Sequence, residues 1–279
     1  MAQILKGAPV ATAITEELAA KTAEFKAKGI IPTLAILRVG ENESDLAYER
    51  GAVKRCEKIG IEVRHIVLGQ QASTDEVLAQ IDRINTDETI HGCLMFRPLP
   101  KHIDEAAVCE ALDPKKDVDA MTSASLVHVF TGKGVGFAPC TAQSCIEILD
   151  HYGYELTGRN VAVIGRSLVI GKPVSMMLQA RNATVTMCHT KTIDTADICS
   201  RADILVVAAG RAKIVNAAYT NPNQIIVDVG INVDADGNLC GDVDFADVEP
   251  VAVAVTPVPG GVGSVTTAVL CKHVLEACE

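Results

Sequence analysis

The chain has 279 residues, 48% of them hydrophobic, 22% charged and 3% aromatic, and its 35 acidic against 25 basic side chains give a formal net charge of -10. That apolar fraction excludes a disordered chain. With no Trp, four Tyr, five Phe and an acidic balance, the chain lacks the basic, ring-rich surface of a nucleic-acid binder. An anionic ligand must then be held by a few placed cations, since the overall field repels it.

Residues 1–10 carry no long apolar run and no cleavage signature. No uninterrupted apolar stretch reaches the roughly 18 residues of a membrane span. The ten Cys form no C-x-x-C and have no His at zinc-like intervals. Reduced, mostly buried thiols, no metal site and a cytoplasmic setting are expected.

In chain order, residues 11–28 read as an amphipathic helix and residues 32–39 (PTLAILRV) as a buried strand. A helix over 45–59 and a strand over 62–67 follow, then a helix over 74–85 with Thr74 as its N-cap. Residues 92–96 form a strand running into Pro98 and Pro100. The stretch TGKGVGFAP (131–139) reads as the boundary between two α/β halves. Beyond it come a helix (142–152), a strand (160–164) and a helix (172–181). Short strands follow at 184–187, 204–208 and 224–229, with a final helix at 265–278. This alternation predicts parallel βαβ units.

The sharpest local signal is VAVIGRSLVIGKPV (161–174). A buried strand ends at Gly165, Gly171 closes the turn, and Pro173 suits the first turn of a helix. Strand, glycine turn and helix N-terminus together make an anion site, because backbone N–H groups and the helix dipole face one point. The spacing is not G-x-G-x-x-G, so an ordinary βα turn stays open as the alternative. NAD-specific sites place an Asp or Glu on the ribose some twenty residues on. Here that stretch, TVTMCHTKT (184–192), offers Thr190 and Lys191, with Arg166 nearby and no carboxylate before Asp194. Hydroxyls and cations accept a 2′-phosphate, which favours NADP over NAD. Lys191 and Arg166 as solvated surface charges are the alternative. VDVGIN (227–232) and TPVPGGVG (256–263) are further turns able to bring backbone close to a ligand.

Taken together, the motifs resemble the methylenetetrahydrofolate dehydrogenase/cyclohydrolase family along nearly the whole chain. The resemblance rests on the Tyr-containing helix (48–60), PLP (98–100), KDVDA (116–120), PCTA (139–142), GRSLVIGKPV (165–174), NATVTMCHTKT (182–192), GDVDF (241–245) and TPVPGGVG. It implies two α/β domains, residues 1–138 with 264–279 for folate and chemistry, and residues 139–263 as a Rossmann-like dinucleotide domain. It also implies a folate cleft between them and a homodimer.

By the same resemblance, Tyr48 lies along the folate and Asp119 holds the pterin's N–H edge, with Pro98, Leu99, Pro259, Gly260 and Gly261 at the substrate. Gly165, Arg166, Ser167, Gly171, Pro173, His189, Thr190, Lys191, Ala209, Gly210, Ile231 and Thr267 are its cofactor positions. Where the family continues KDVDA-like motifs with Gly-Phe, this chain has Ala120 and Met121; Ala142 and Ser264 also replace usual prolines.

Two departures touch the chemistry. The family's catalytic Lys, four residues after the Tyr, is here Ala52, and its partner Gln is Phe96, followed by Arg97. Lys54 lies about 240° round the helix from Tyr48, against about 40° for Ala52, so it faces elsewhere. Hydride transfer needs alignment more than a base, whereas opening the methenyl ring needs a proton carrier. The expectation is an NADP-dependent dehydrogenase with the cyclohydrolase activity lost. A bifunctional enzyme using Lys54 or Arg97 is the rival. A non-catalytic folate- or nucleotide-binding protein and a generic Rossmann dehydrogenase are rivals of other kinds. The last wants a base opposite the nicotinamide, and His189 reads as structural or cofactor-edge.

Overall fold

The computed structural model describes residues 1–279. In chain order its elements are β1 (Gln3–Ile4), α1 (Gly7–Ala27), β2 (Thr33–Val39), α2 (Glu43–Ile59), β3 (Glu62–Leu68), α3 (Thr74–Thr86), β4 (Gly92–Met95), α4 (Glu105–Ala111) and α5 (Ser123–Thr131). The second half adds α6 (Cys140–His151), β5 (Asn160–Ile164), α7 (Gly171–Ala180), β6 (Thr184–Cys188), α8 (Thr195–Ser200), β7 (Ile204–Val207) and β8 (Ile225–Asp228). A hairpin of β9 (Asn232–Val233) and β10 (Leu239–Cys240), then α9 (Phe245–Val248), β11 (Ala254–Val255) and α10 (Thr266–Glu276) complete the chain.

The chain divides into two compact units, Met1–Ala11 with Thr141–Thr266, and Thr12–Cys140 with Thr267–Glu279. The expected division puts residues 1–11 with the other unit. The structure groups them with the later residues because β1 pairs in parallel with β11, Gln3 opposite Ala254 and Ile4 opposite Val255.

The first unit is built on a six-stranded parallel sheet in the order β1-β11-β8-β7-β5-β6. Its inner strands β5, β7, β8 and β11 are short, largely buried runs rich in Val, Ile and Ala, as parallel strands covered by helices must be, whereas the edge strands β1 and β6 keep Gln3, Thr184 and Thr186 exposed. Ala162, Ile164, Leu205, Val207, Ile226 and Val255 form one side of the core, against Cys188, Cys199, Val215 and Val248. The chain leaves β5 for β6 on one side and returns to β7 on the other, so the switch point of this Rossmann-like unit lies at the ends of β5 and β7.

The second unit holds a parallel sheet in the order β3-β2-β4. Ala35, Leu37, Cys93 and Met95 pack against Val77, Ile81 and Ile84 of α3 and Val108 and Leu112 at α4. Each Leu, Ile, Val or Met among these contributes about 1.5–3 kcal/mol by leaving water. The opposite sheet face carries Ile36 and Arg38, and α2 packs there. The switch point of this smaller sheet is at the ends of β2 and β4, where Gly40 and Phe96 stand.

The helix ends are defined by side chains. Ser73, one residue before the expected Thr74, is the N-cap of α3 and forms a reciprocal capping box with Glu76. Asn42 caps α2 and Gly60 ends it at φ +91°. Lys116 Nζ donates to the carbonyls of Ile84, Asn85 and Asp87 at 2.7, 3.0 and 2.8 Å, closing the end of α3. None of the ten Cys is in a disulfide; all but the half-buried Cys278 are buried. No helix is long and apolar enough to cross a membrane.

Candidate functional site

In the first unit a cavity of about 470 Å³ opens at the switch point, lined by Gly165, Arg166 and Ser167 after β5, His189, Thr190 and Thr192 after β6, and Ala209 and Arg211 after β7. Gly165 has φ +129°, and a Cβ there would collide with the Ala208 carbonyl oxygen. A Cβ on Gly171 would collide with the Gly165 carbonyl. The turn is therefore glycine by steric necessity, and it brings backbone to the cavity wall. The start of α7 has Ile170 at its N-cap with no side-chain hydrogen bond, and Pro173 occupies its first turn without an N–H to satisfy.

Charge in this cavity is one-sided. Arg166 and Arg211 line it and no carboxylate does. A 2′-phosphate fits such a lining, whereas a carboxylate suited to a ribose diol is absent from the wall. The glycine cradle and cationic wall thus fit a phosphorylated dinucleotide. Lys191 is exposed on the same turn, its N–H donating to His189 Nδ1 at 3.1 Å, but it does not line the cavity. His189 is thereby tied to its own turn.

Ala209 and Gly210 do not aim their N–H groups at a ligand. Both donate to Asp242 Oδ2, at 2.6 and 2.9 Å, while Arg211 N–H and Asn232 Nδ2 donate to Oδ1 at 2.8 and 2.9 Å. Asp242 is fully buried and a Cβ on Gly230 would overlap it. Sequence reasoning passed over Asp242 and Arg211; the GDVDF motif was the signal for Asp242, and nothing local marked Arg211. Asp228, in the same network, accepts N–H donors of Gly230, Asp242 and Val243 at 2.9, 3.1 and 2.9 Å. Burial nevertheless pushes its carboxyl up to about 6 against those hydrogen bonds.

Pro259, Gly260 and Gly261 line a second, smaller cavity of about 250 Å³ in this unit, together with Ile231 and Asp228. Ile231, expected at the cofactor, thus stands beside the residues expected at the substrate and is 67% exposed. The Gly260 carbonyl accepts the Gly7 N–H at 2.8 Å, which ties this loop to the chain start.

In the second unit, Tyr48 on α2 meets Phe96 edge-on, with ring centroids 6.1 Å apart and planes at 82°. Ala52, the next turn of the same helix, is completely buried, whereas Lys54 is exposed, as its place round the helix requires. Thr267, expected at the cofactor, belongs to this unit and lies 4.0 Å from where a Cβ on Gly51 would be. Pro98 is exposed and follows a cis peptide at Arg97. Leu99 turns its side chain into the core and gives its N–H to Glu105 Oε2 at 2.6 Å.

The two aspartates of KDVDA divide the work. Asp117 is fully buried and accepts from Met121 N, Thr122 N, Thr122 Oγ1 and Ser125 Oγ at 2.8, 2.8, 2.7 and 2.6 Å, a structural clamp. Asp119 is half-buried and accepts the Cys140 N–H at 3.0 Å. Desolvation raises its carboxyl above the usual range, opposed by the Cys140 hydrogen bonds and the Arg97 charge. Directly after Asp119 the chain turns through Ala120 at φ +53°, a left-handed conformation that glycine would adopt at less cost.

Fold and cavity define a two-unit α/β protein with a Rossmann-like dinucleotide half. The family model described as "Tetrahydrofolate dehydrogenase/cyclohydrolase, catalytic domain" matches residues 5–119, and its "NAD(P)-binding domain" counterpart matches residues 139–279. The "Bifunctional protein FolD" of Carboxydothermus hydrogenoformans is 50% identical over all of this chain and 98% of its own length. A crystal structure of the bifunctional FolD dehydrogenase/cyclohydrolase of Campylobacter jejuni superposes with TM-score 0.96 at 35% identity, covering 99% of this chain and 98% of that one. The crystal structure of Trypanosoma brucei FolD complexed with NADP cofactor and inhibitor gives TM-score 0.91 at 32% identity, covering 99% of this chain and 97% of that one. The chain belongs to the tetrahydrofolate dehydrogenase/cyclohydrolase family.

Proposed function

We propose that the protein is an NADP-dependent methylenetetrahydrofolate dehydrogenase that lacks cyclohydrolase activity. The dehydrogenase part is supported by family membership and by the carboxylate-free, two-arginine lining at Gly165. A nicotinamide cofactor, when bound, supplies the hydride acceptor. Arg166, Arg211, Ser167 and Thr190 hold its phosphorylated ribose, and the Gly165–Gly171 turn receives its diphosphate. Tyr48 lies along the folate, and Asp119 accepts hydrogen bonds from the pterin's N–H edge. The folate's own nitrogens supply the electrons that expel the hydride, so these residues need only align the methylene carbon and exclude water.

One observation carries the second part: Ala52 is fully buried and Phe96 packs edge-on to Tyr48, at the two positions where the family resemblance calls for Lys and Gln. Ring opening needs a group that takes and returns a proton. A methyl group and a phenyl ring do neither, and Arg97 stays protonated. The bifunctional alternative draws on the relatives' names and would have to use Lys54, which is exposed, or Arg97 as its proton carrier. A homodimer, with exposed Ile231, Val233 and Leu239 as an apolar surface, and a cytoplasmic setting belong to the same reading. The test is to follow both reactions with the purified protein: NADP+ reduction by methylenetetrahydrofolate, and methenyltetrahydrofolate decay above its buffer rate.

A further inference from the structure

The helix that carries Tyr48 has an unusual buried stripe. The buried positions of α2 are Glu49, Ala52, Cys56 and Ile59, spaced three, four and three residues apart. That is one helix face, and its first member is a carboxylate. Gly51 and Ala52 give this turn little apolar surface, so hydrophobic burial hardly fixes the turn that bears Tyr48. Glu49 fills that gap. Its side chain is 10% exposed and is approached from two strands. His65 of β3 puts Nδ1 2.7 Å from Oε1. Arg38 of β2 puts Nε 3.1 Å from Oε2, an ion contact without hydrogen-bond alignment. The guanidinium is held in turn by Nη1 donating to the Gly40 carbonyl at 2.6 Å, at the switch point of the sheet.

We infer that Glu49 is a positioning residue: the Arg38–Glu49–His65 cluster seats the first turns of α2 on the sheet and so sets where Tyr48 meets the folate. The two strands grip one carboxylate from adjacent rows, since His65 stands beside Ile36, two residues before Arg38, in the parallel register. Such a grip fixes both the rotation and the height of the helix. Tyr48, the preceding residue, then has little freedom to turn away from Phe96. The inference rests on the proposed folate reading for its consequence, but not for the seating itself.

The test compares the wild type with Glu49→Gln and with His65→Ala, the second removing a half-exposed partner of the carboxylate. Two readouts are taken: hydrogen exchange of the α2 amides, and KM for methylenetetrahydrofolate against KM for NADP+. The expected result is faster exchange confined to residues 43–52 and a KM for the folate raised roughly tenfold, with KM for NADP+ unchanged. His65→Ala moves both in the same direction by less. Unchanged exchange in α2, or an unchanged folate KM, in a folded Glu49→Gln overturns the inference. So does an equal rise in both KM values, which would mark general loosening. A wild type without dehydrogenase activity whose α2 exchange still responds to Glu49→Gln would sink the function and leave the seat standing.

Discussion

Ala52 and Phe96 matter for the groups they do not carry. A Lys placed at position 52 would bury an ammonium where no solvent reaches, and Phe96, at the position where the family resemblance calls for Gln, has no amide to orient it. Ala52→Lys is therefore expected to lower stability by several kcal/mol in urea unfolding and to produce no methenyltetrahydrofolate decay above buffer. A stable, cyclohydrolase-active single mutant would refute the reading of this wall. On the proposed reading Asp119 makes the opposite case, a half-buried carboxylate that meets the pterin. Asp119→Asn presents an amide to the pterin's N–H donors, at a loss of about 1.5–3 kcal/mol. In steady-state assays kcat/KM for the folate should fall roughly ten- to a hundredfold, with KM for NADP+ and the melting temperature nearly unmoved. Because desolvation raises its pKa, folate binding should weaken with acidification at a higher pH than an ordinary carboxylate would give.

At the scale of elements, the loop after β7 depends on one buried carboxylate. Asp242→Asn would turn an NH2 toward donors that now share Asp242, leaving at least one unpaired at about 1–3 kcal/mol. KM for NADP+ should rise and that for the folate should not; the reverse pattern in kinetics would show the loop serves another ligand. Asp228 beneath it should titrate near pH 6, visible as the carboxyl carbon shift in NMR. Its folded pKa lies above the unfolded value, so its contribution is complete below about pH 4 and is lost as pH rises through about 6. A midpoint in the ordinary carboxylate range would contradict the burial argument.

Much of this element-scale order is legible in the sequence, and the exceptions have physical reasons. Strands β2 to β8 and helices α1, α2, α3, α6, α7 and α10 carry runs or periodicities long enough to read within a few residues. The two-residue strands β1, β9, β10 and β11 carry no period. Pairing β1 with β11 brings Gln3 to Ala254, which no local window contains. Helices α4, α5, α8 and α9 are short and follow turn residues. Sequence alone does not single out Ser73 as the cap because Thr74 beside it has the same chemistry; only the reciprocal Glu76 bond decides between them. In the site, Gly165, Arg166, Ser167, His189, Thr190 and Ala209 do line one cavity. Lys191 points outward, Leu99 is spent on the core and on Glu105, and Thr267 belongs to the other unit. Arg211 stays invisible in sequence because an Arg in a loop looks like solvated charge until a cavity is seen to include it.

For the whole molecule, the net charge of -10 sets the terms of recognition. NADP and a polyglutamyl folate are anions, and the general field offers them nothing. On the proposed reading binding falls to local donors, chiefly Arg166 and Arg211, which line the cavity of the first unit. Arg166→Ala should narrow the preference for NADP+ over NAD+ by about tenfold or more, since one charge-assisted contact is worth some 1.5–3 kcal/mol. An unchanged nucleotide preference would remove Arg166 from the phosphate site. On the proposed reading one family reaction survives in this chain and the other does not. This is tested most directly by supplying the purified wild-type protein with methenyltetrahydrofolate alone and recording its decay, with NADP+ reduction by methylenetetrahydrofolate measured on the same preparation. Rapid NADP+ reduction with decay no faster than buffer is the predicted result; decay at a rate comparable to the reduction would contradict it.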